Sequence, residues 1–92
     1  MKTENIDELR AKIDEIDNEI MASFNKRMKI VEQIAYIKKD DNLSLNDTNR
    51  EAEVVYKALK NIDRKFADEG KIFIENLITV SKIFQNKILI KN

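Results

Sequence analysis

Three helices, one long and two shorter, account for nearly the whole of this sequence, so the expected fold class is all-α. With one Gly and no Pro in 92 residues, little interrupts a helical backbone. Charged residues make up 37% of the chain, which suits the solvated faces of long helices and matches sandwiches, barrels or dinucleotide-binding units poorly. The third observation is rhythm: apolar residues recur at three- and four-residue steps through most of the chain.

The first helix is expected from Ile6 to about Lys39, where Ile6, Leu9, Ile13, Ile16, Ile20, Ile30, Ile34 and Ile37 keep the three-four spacing. Such a helix is roughly 50 Å long, about twice a common globular helix. The stretch "DDNLSLN" at 40–46 breaks the pattern with loop residues. A second helix follows from about Asp47 to Ile62 or Asp63, with Asp47 suited to cap its first turn. "DRKFADEG" makes the next turn, and a third helix runs from about Asp68 to Ile90. It carries Phe73, Leu77, Val80 and Phe84 on one stripe and Ile74, Ile78 and Ile88 on the neighbouring one.

Two short helices cannot cover both apolar flanks of so long a first helix, whose seam Phe24 and Val31 widen. A second copy can. The expected assembly is an intertwined helical homodimer with the first helices antiparallel, each chain being a single domain over residues 1–92.

Composition excludes several chemistries. Without Cys or His the chain lacks disulfides, thiolate metal sites and a Ser-His-Asp relay, so neither nucleophilic nor metal-ion catalysis is expected. Lys plus Arg and Asp plus Glu balance at 17 each, which offers no net positive field for nucleic acid. The polar start "MKTENIDELR" and the lack of a long apolar run predict neither a signal peptide nor a membrane span. The expectation is a cytoplasmic protein.

Against this background several polar residues stand on inward-facing stripes. The heptad from Ile6 passes through Ile13 and Ile20 to Arg27 before Ile34, and the adjacent stripe is Arg10, Asp17, Phe24, Val31, Lys38. Lys38 follows Arg27 by eleven residues and lies almost on the same face. In the second helix, steps of four, three and four from Glu51 give Val55, Ala58 and Ile62, which puts Glu51 on the buried side beside Asp47 and Arg50. In the third helix, Ser81 and Gln85 interrupt the stripe Ile74, Ile78, Ile88.

Each residue alone has a plain structural reading. Arg27 can fix helix register, Arg10 and Lys38 can be solvated flank charges, Ser81 can bond its own helix and Gln85 can be a surface residue. Together they place Arg, Lys, Glu, Ser and Gln on core-facing stripes of all three helices. Unpartnered buried polar groups cost on the order of 1–3 kcal/mol each, and a polar ligand would satisfy all of them. Because the cations outnumber the acids, that ligand is an anion, and planar carboxylates suit an Arg fork best. Arg10 and Lys38 are about 28 residues, roughly 42 Å, apart along one helix, so they can hold one small molecule only across two chains. That requires a dyad near residue 20 or 21.

Four segments, "IDELRAKIDEIDNEI", "FNKRMKIVEQIAYIKK", "DTNRE" and "SKIFQ", in this order over nearly the whole chain, resemble the all-helical (AroQ-class) chorismate mutases. That family rearranges chorismate to prephenate on the route to phenylalanine and tyrosine, as an interlocked dimer without a cofactor. The resemblance implies that Arg10 of one subunit, with Arg27 and Lys38 of the other, binds the two carboxylates, assisted by Ser81. It implies that Lys38 and Gln85 donate to the ether oxygen. Glu51 and the backbone N–H of Asp47 would meet the ring hydroxyl, with Arg50 beside them orienting the carboxylates of the site. Departures from the family pattern are small: "NLSLND" lacks a Pro common in that loop, and the second turn is short.

A length of 92 residues predicts a monofunctional mutase. Two other readings stand beside it. An isochorismate pyruvate-lyase of the same fold would use nearly the same cations, and a non-catalytic helical interaction module would bind no ligand and tolerate Arg27→Leu.

Overall fold

A computed structural model describes residues 5–91 and contains three α-helices with no strand among the described residues. Met1–Glu4, the first part of the polar start noted above, and Asn92 lie outside them. α1 is Ile6–Asp40, α2 is Thr48–Lys60 and α3 is Ala67–Leu89, with a 3-10 turn at Arg64–Phe66. None of these helices is long and apolar enough to cross a membrane. The chain divides into two units, Met1–Ile30 and Val31–Asn92.

The first unit is the greater part of α1. Asn5 starts it: its side-chain oxygen accepts from the Glu8 N–H at 2.9 Å while its amide donates to the Glu8 carboxylate at 3.2 Å, a reciprocal cap. Asp7 and Glu8 also lie at the positive end of the helix dipole. Among the described residues of this unit, only Phe24, Arg27 and Met28 are half-buried and the rest are exposed. The stripe Ile6, Leu9, Ile13, Ile16, Ile20 is therefore open to solvent.

The second unit holds the remainder of α1, all of α2 and α3, and the buried residues Val31, Ala35, Ser81, Gln85 and Ile88. These occupy helical steps of four on α1 and of four and three on α3, so each helix turns one stripe inward. On α3 the inward stripe is the one that bears Ser81 and Gln85. Phe73 and Val80, on the neighbouring stripe, are exposed in this single chain.

α1 ends because Asn42 adopts a left-handed conformation (φ 56°). Asn tolerates that region better than most residues, and the backbone closes a Schellman motif: Leu43 N–H donates to the Lys38 carbonyl at 2.7 Å and Asn42 N–H to the Lys39 carbonyl at 3.3 Å. The loop is thereby wrapped back over Lys38. Asn46 N–H donates to Ser44 Oγ at 3.2 Å, which fixes the approach to α2.

α2 is shorter than its periodicity predicts. Asn61 caps it at Lys60, its N–H donating to the Ala58 carbonyl and its side-chain amide to the Lys57 carbonyl, both at 3.1 Å. Ile62 then leaves the helix and lies against Gly70 in α3, where a Cβ would stand 2.3 Å from Ile62 Cδ1. The chain's one glycine thus admits an isoleucine side chain from the connecting turn. That turn is tightened by Phe66 N–H donating to the Asp63 carbonyl at 2.9 Å, and α3 begins at once, at Ala67.

Candidate active site

Two polar clusters converge on one stretch of α3 in the second unit. The first is built on Lys38. Its ammonium donates to Gln85 Oε1 at 2.9 Å and to the Leu45 carbonyl at 3.1 Å. Both acceptors are neutral, so the half-buried positive charge is hydrogen-bonded without being neutralised by them. That is an arrangement suited to an anion.

The Schellman closure brings the loop, and so the Leu45 carbonyl, back to Lys38. Gln85 is only 7% exposed, and its amide is oriented because a lysine can only donate: Oε1 faces Lys38 and the Nε2 protons face elsewhere. Ser81, 5% exposed, lies one turn earlier on the same stripe and donates to the Leu77 carbonyl of its own helix at 2.8 Å. It is the local bond that a serine within a helix can make to its own backbone.

The second cluster is the start of α2. Asp47 caps the helix by accepting from Arg50 N–H at 3.0 Å, and the Asp47 N–H points to Glu51 Oε2 at 3.4 Å. The Glu51 carboxylate is also held by Lys82 of α3, with Nζ 3.2 Å from Oε2 and 3.4 Å from Oε1. Glu51, Ala52 and Val55 of α2 and Glu75, Ile78, Thr79 and Lys82 of α3 line a cleft of about 340 Å³. Lys82 is next to Ser81 and one turn before Gln85, so α3 links the two clusters.

The other expected residues are placed differently. Arg50 pairs with Glu53 on the surface of α2. The guanidinium's hydrogen bond, followed by the field of Lys57, holds the Glu53 carboxyl below its ordinary pKa. Arg10 is exposed and Arg27 half-buried, both in the first unit.

Lys82 is not among the residues that the stripes single out. The signals were its position between Ser81 and Gln85 and the need of Glu51, on a buried stripe, for a counter-charge. The Leu45 carbonyl was not discoverable, since a backbone acceptor leaves no trace in residue type.

The chain is an all-α protein whose inward faces carry a lysine bonded to neutral acceptors and a buried, oriented amide. It belongs to the chorismate mutase type II family, which it matches over residues 9–86. It is 34% identical over 89 residues to the chorismate mutase of Methanocaldococcus jannaschii, covering 94% of this chain and 89% of that protein. It is 40% identical over 57 residues to the bifunctional chorismate mutase/prephenate dehydratase of Aquifex aeolicus, a match to 62% of this chain that spans 16% of that protein. No solved structure matches the chain significantly.

Proposed function

We propose that this chain rearranges chorismate to prephenate as a symmetric homodimer, each chain forming one mutase domain over residues 1–92. The observation that carries the reading is the Lys38–Gln85 hydrogen bond. It joins a cation with neutral partners to an amide whose donors are turned away from it, and family membership supplies the substrate class.

The reaction is unimolecular: the ether C–O bond breaks while a C–C bond forms, with no nucleophile, proton or electron supplied from outside. The residues hold the folded conformer and meet the negative charge that develops on the ether oxygen. Gln85 Nε2 and the remaining Lys38 proton donate there. Arg27 and Lys38, with Arg10 of the partner subunit, grip the carboxylates, and Ser81 assists at the ring carboxylate when its hydroxyl swings from the Leu77 carbonyl. Glu51 and the Asp47 N–H meet the ring hydroxyl. Arg50 orients the carboxylates of the site after exchanging Glu53 for them.

The exposed stripe Ile6, Leu9, Ile13, Ile16, Ile20 supports a dimer. Covering it removes apolar surface worth on the order of 5 kcal/mol per chain. Phenylalanine and tyrosine biosynthesis is the context this activity serves in the family.

The test is the loss of chorismate absorbance by purified protein, with the product identified. Prephenate upholds the reading, pyruvate released from isochorismate assigns the lyase instead, and no turnover of either leaves a non-catalytic helical module. Sedimentation at micromolar concentration tests the dimer.

A further inference from the structure

We propose that Lys82 is a positioning residue: it holds the Glu51 carboxylate in the orientation that accepts the substrate's ring hydroxyl, an inference that rests on the mutase reading above. Lys82 lies within hydrogen-bond reach of both oxygens of Glu51, at 3.2 and 3.4 Å, while the Asp47 N–H lies 3.4 Å from one of them. A glutamate has three rotatable bonds, and contacts from two directions confine it to a narrow range of orientations.

The pair differs from an ordinary surface ion pair. Its side chains are 31% and 30% exposed and come from α3 and α2, whereas Arg50 and Glu53 are 59% and 51% exposed and one turn apart. Exposed pairs of the latter kind are heavily screened; the former sits at the wall of the cleft. Lys82 is the one cation among the residues lining that cleft, which also include Glu51 and Glu75. Without it, no cation in that lining would offset the two carboxylates as a dianion enters. Lys82 therefore acts on binding, by orienting one acid and offsetting the field of both, and not on bond breaking.

The experiment measures KM and kcat for chorismate in the full chain and in Lys82→Met, Lys82→Arg, Glu51→Gln and Lys82→Met/Glu51→Gln, with helical circular dichroism and melting midpoints. Lys82→Met should raise KM about tenfold or more while kcat stays within about threefold, and Lys82→Arg should recover most of the loss. In the Glu51→Gln background, Lys82→Met should add less than about threefold, because the carboxylate it positions is gone. A lower melting midpoint with unchanged KM would make Lys82 a strut between α2 and α3 and overturn the proposal. So would equal effects in both backgrounds. If Lys82→Met does not fold, Lys82→Gln carries the same comparison. An active wild type with an indifferent Lys82 refutes this inference alone, whereas an inactive wild type refutes the mutase reading and this inference with it.

Discussion

Lys38 Nζ donates to Gln85 Oε1 at 2.9 Å, joining residues 47 positions apart in the chain. The last turn of α1 meets α3 there, and Lys39 donates to the Lys91 carbonyl close by, so two adjacent lysines tie the same end of α1 to the C-terminal part of the chain. The two bonds differ in consequence. Lys39 is exposed and holds a backbone carbonyl, whereas Lys38 is half-buried and orients a buried side-chain amide. The candidate site depends on the second.

We predict that Lys38→Ala lowers turnover about 10²-fold or more, because it removes a donor whose interaction strengthens as the ether bond breaks. It should also destabilise the fold by about 1–3 kcal/mol, since Gln85 Oε1 loses its donor in a buried position. Single-turnover kinetics and urea unfolding read the two effects separately. An unchanged kcat with a raised KM would make Lys38 a ground-state anchor only.

For Gln85→Glu the expected outcome is a pH-dependent enzyme. Wild-type turnover should be flat between about pH 6 and 8, because an amide donates at any proton concentration. A glutamate at 85 would face the Lys38 ammonium, which lowers its folded pKa relative to the unfolded value. The ionised form is then held from neutrality down to the acid side of roughly pH 4.3. Turnover should therefore fall sharply at neutral pH and recover only as acid protonates the carboxyl. By the same sign, the ion pair stabilises the variant above the unfolded pKa, and that stabilisation is lost as pH falls through the folded pKa. Full activity at pH 8 would remove Gln85 from the ether oxygen, or show that burial has raised the carboxyl's pKa despite Lys38.

Mixing two inactive variants tests the assembly. Arg10 is exposed in the first unit and Lys38 half-buried in the second. If Arg10 serves the partner's site, Arg10→Ala and Lys38→Ala chains should recover activity on mixing, through heterodimers with one of two sites intact. Recovery absent after verified subunit exchange would place both residues in one chain's site or refute the antiparallel pairing.

The contact at Gly70 makes a prediction about stability alone. Gly70→Ala should gain helix propensity of about 1 kcal/mol and lose a similar amount by displacing Ile62 Cδ1, which a new Cβ would approach to 2.3 Å. The net change should be small. In an Ile62→Val background, which lacks that methyl, Gly70→Ala should stabilise by about 1 kcal/mol. Thermal unfolding of the four proteins checks this, and additive effects of the two substitutions would show that the residues do not touch.

Much of this molecule was legible in its sequence for a local reason: helical periodicity states which residues share a face, and capping chemistry states where a face begins. Asp47 does cap α2, and Glu51, Val55, Ala58 and Ile62 are all half-buried as their spacing predicts. The inward placement of Ser81 and Gln85 was equally plain, because two polar residues in an apolar stripe are conspicuous at 3.6 residues per turn. α2 ends at Lys60, two or three residues before its periodicity predicts. Periodicity carried Ile62 on as helix, but its packing against the glycine of another helix drew it out of the helix.

Which faces meet is a property of the packed fold. Periodicity and capping specify three helices, their inward stripes and a set of cations and donors on those stripes. They do not specify that Gln85 receives Lys38, that Glu51 is held by Lys82, or that Arg50 turns to Glu53. A stripe specifies an angle around one helix axis. The partner across a gap depends on the rotation and approach of two axes, which many side chains set together through close packing and which no residue-to-residue spacing records.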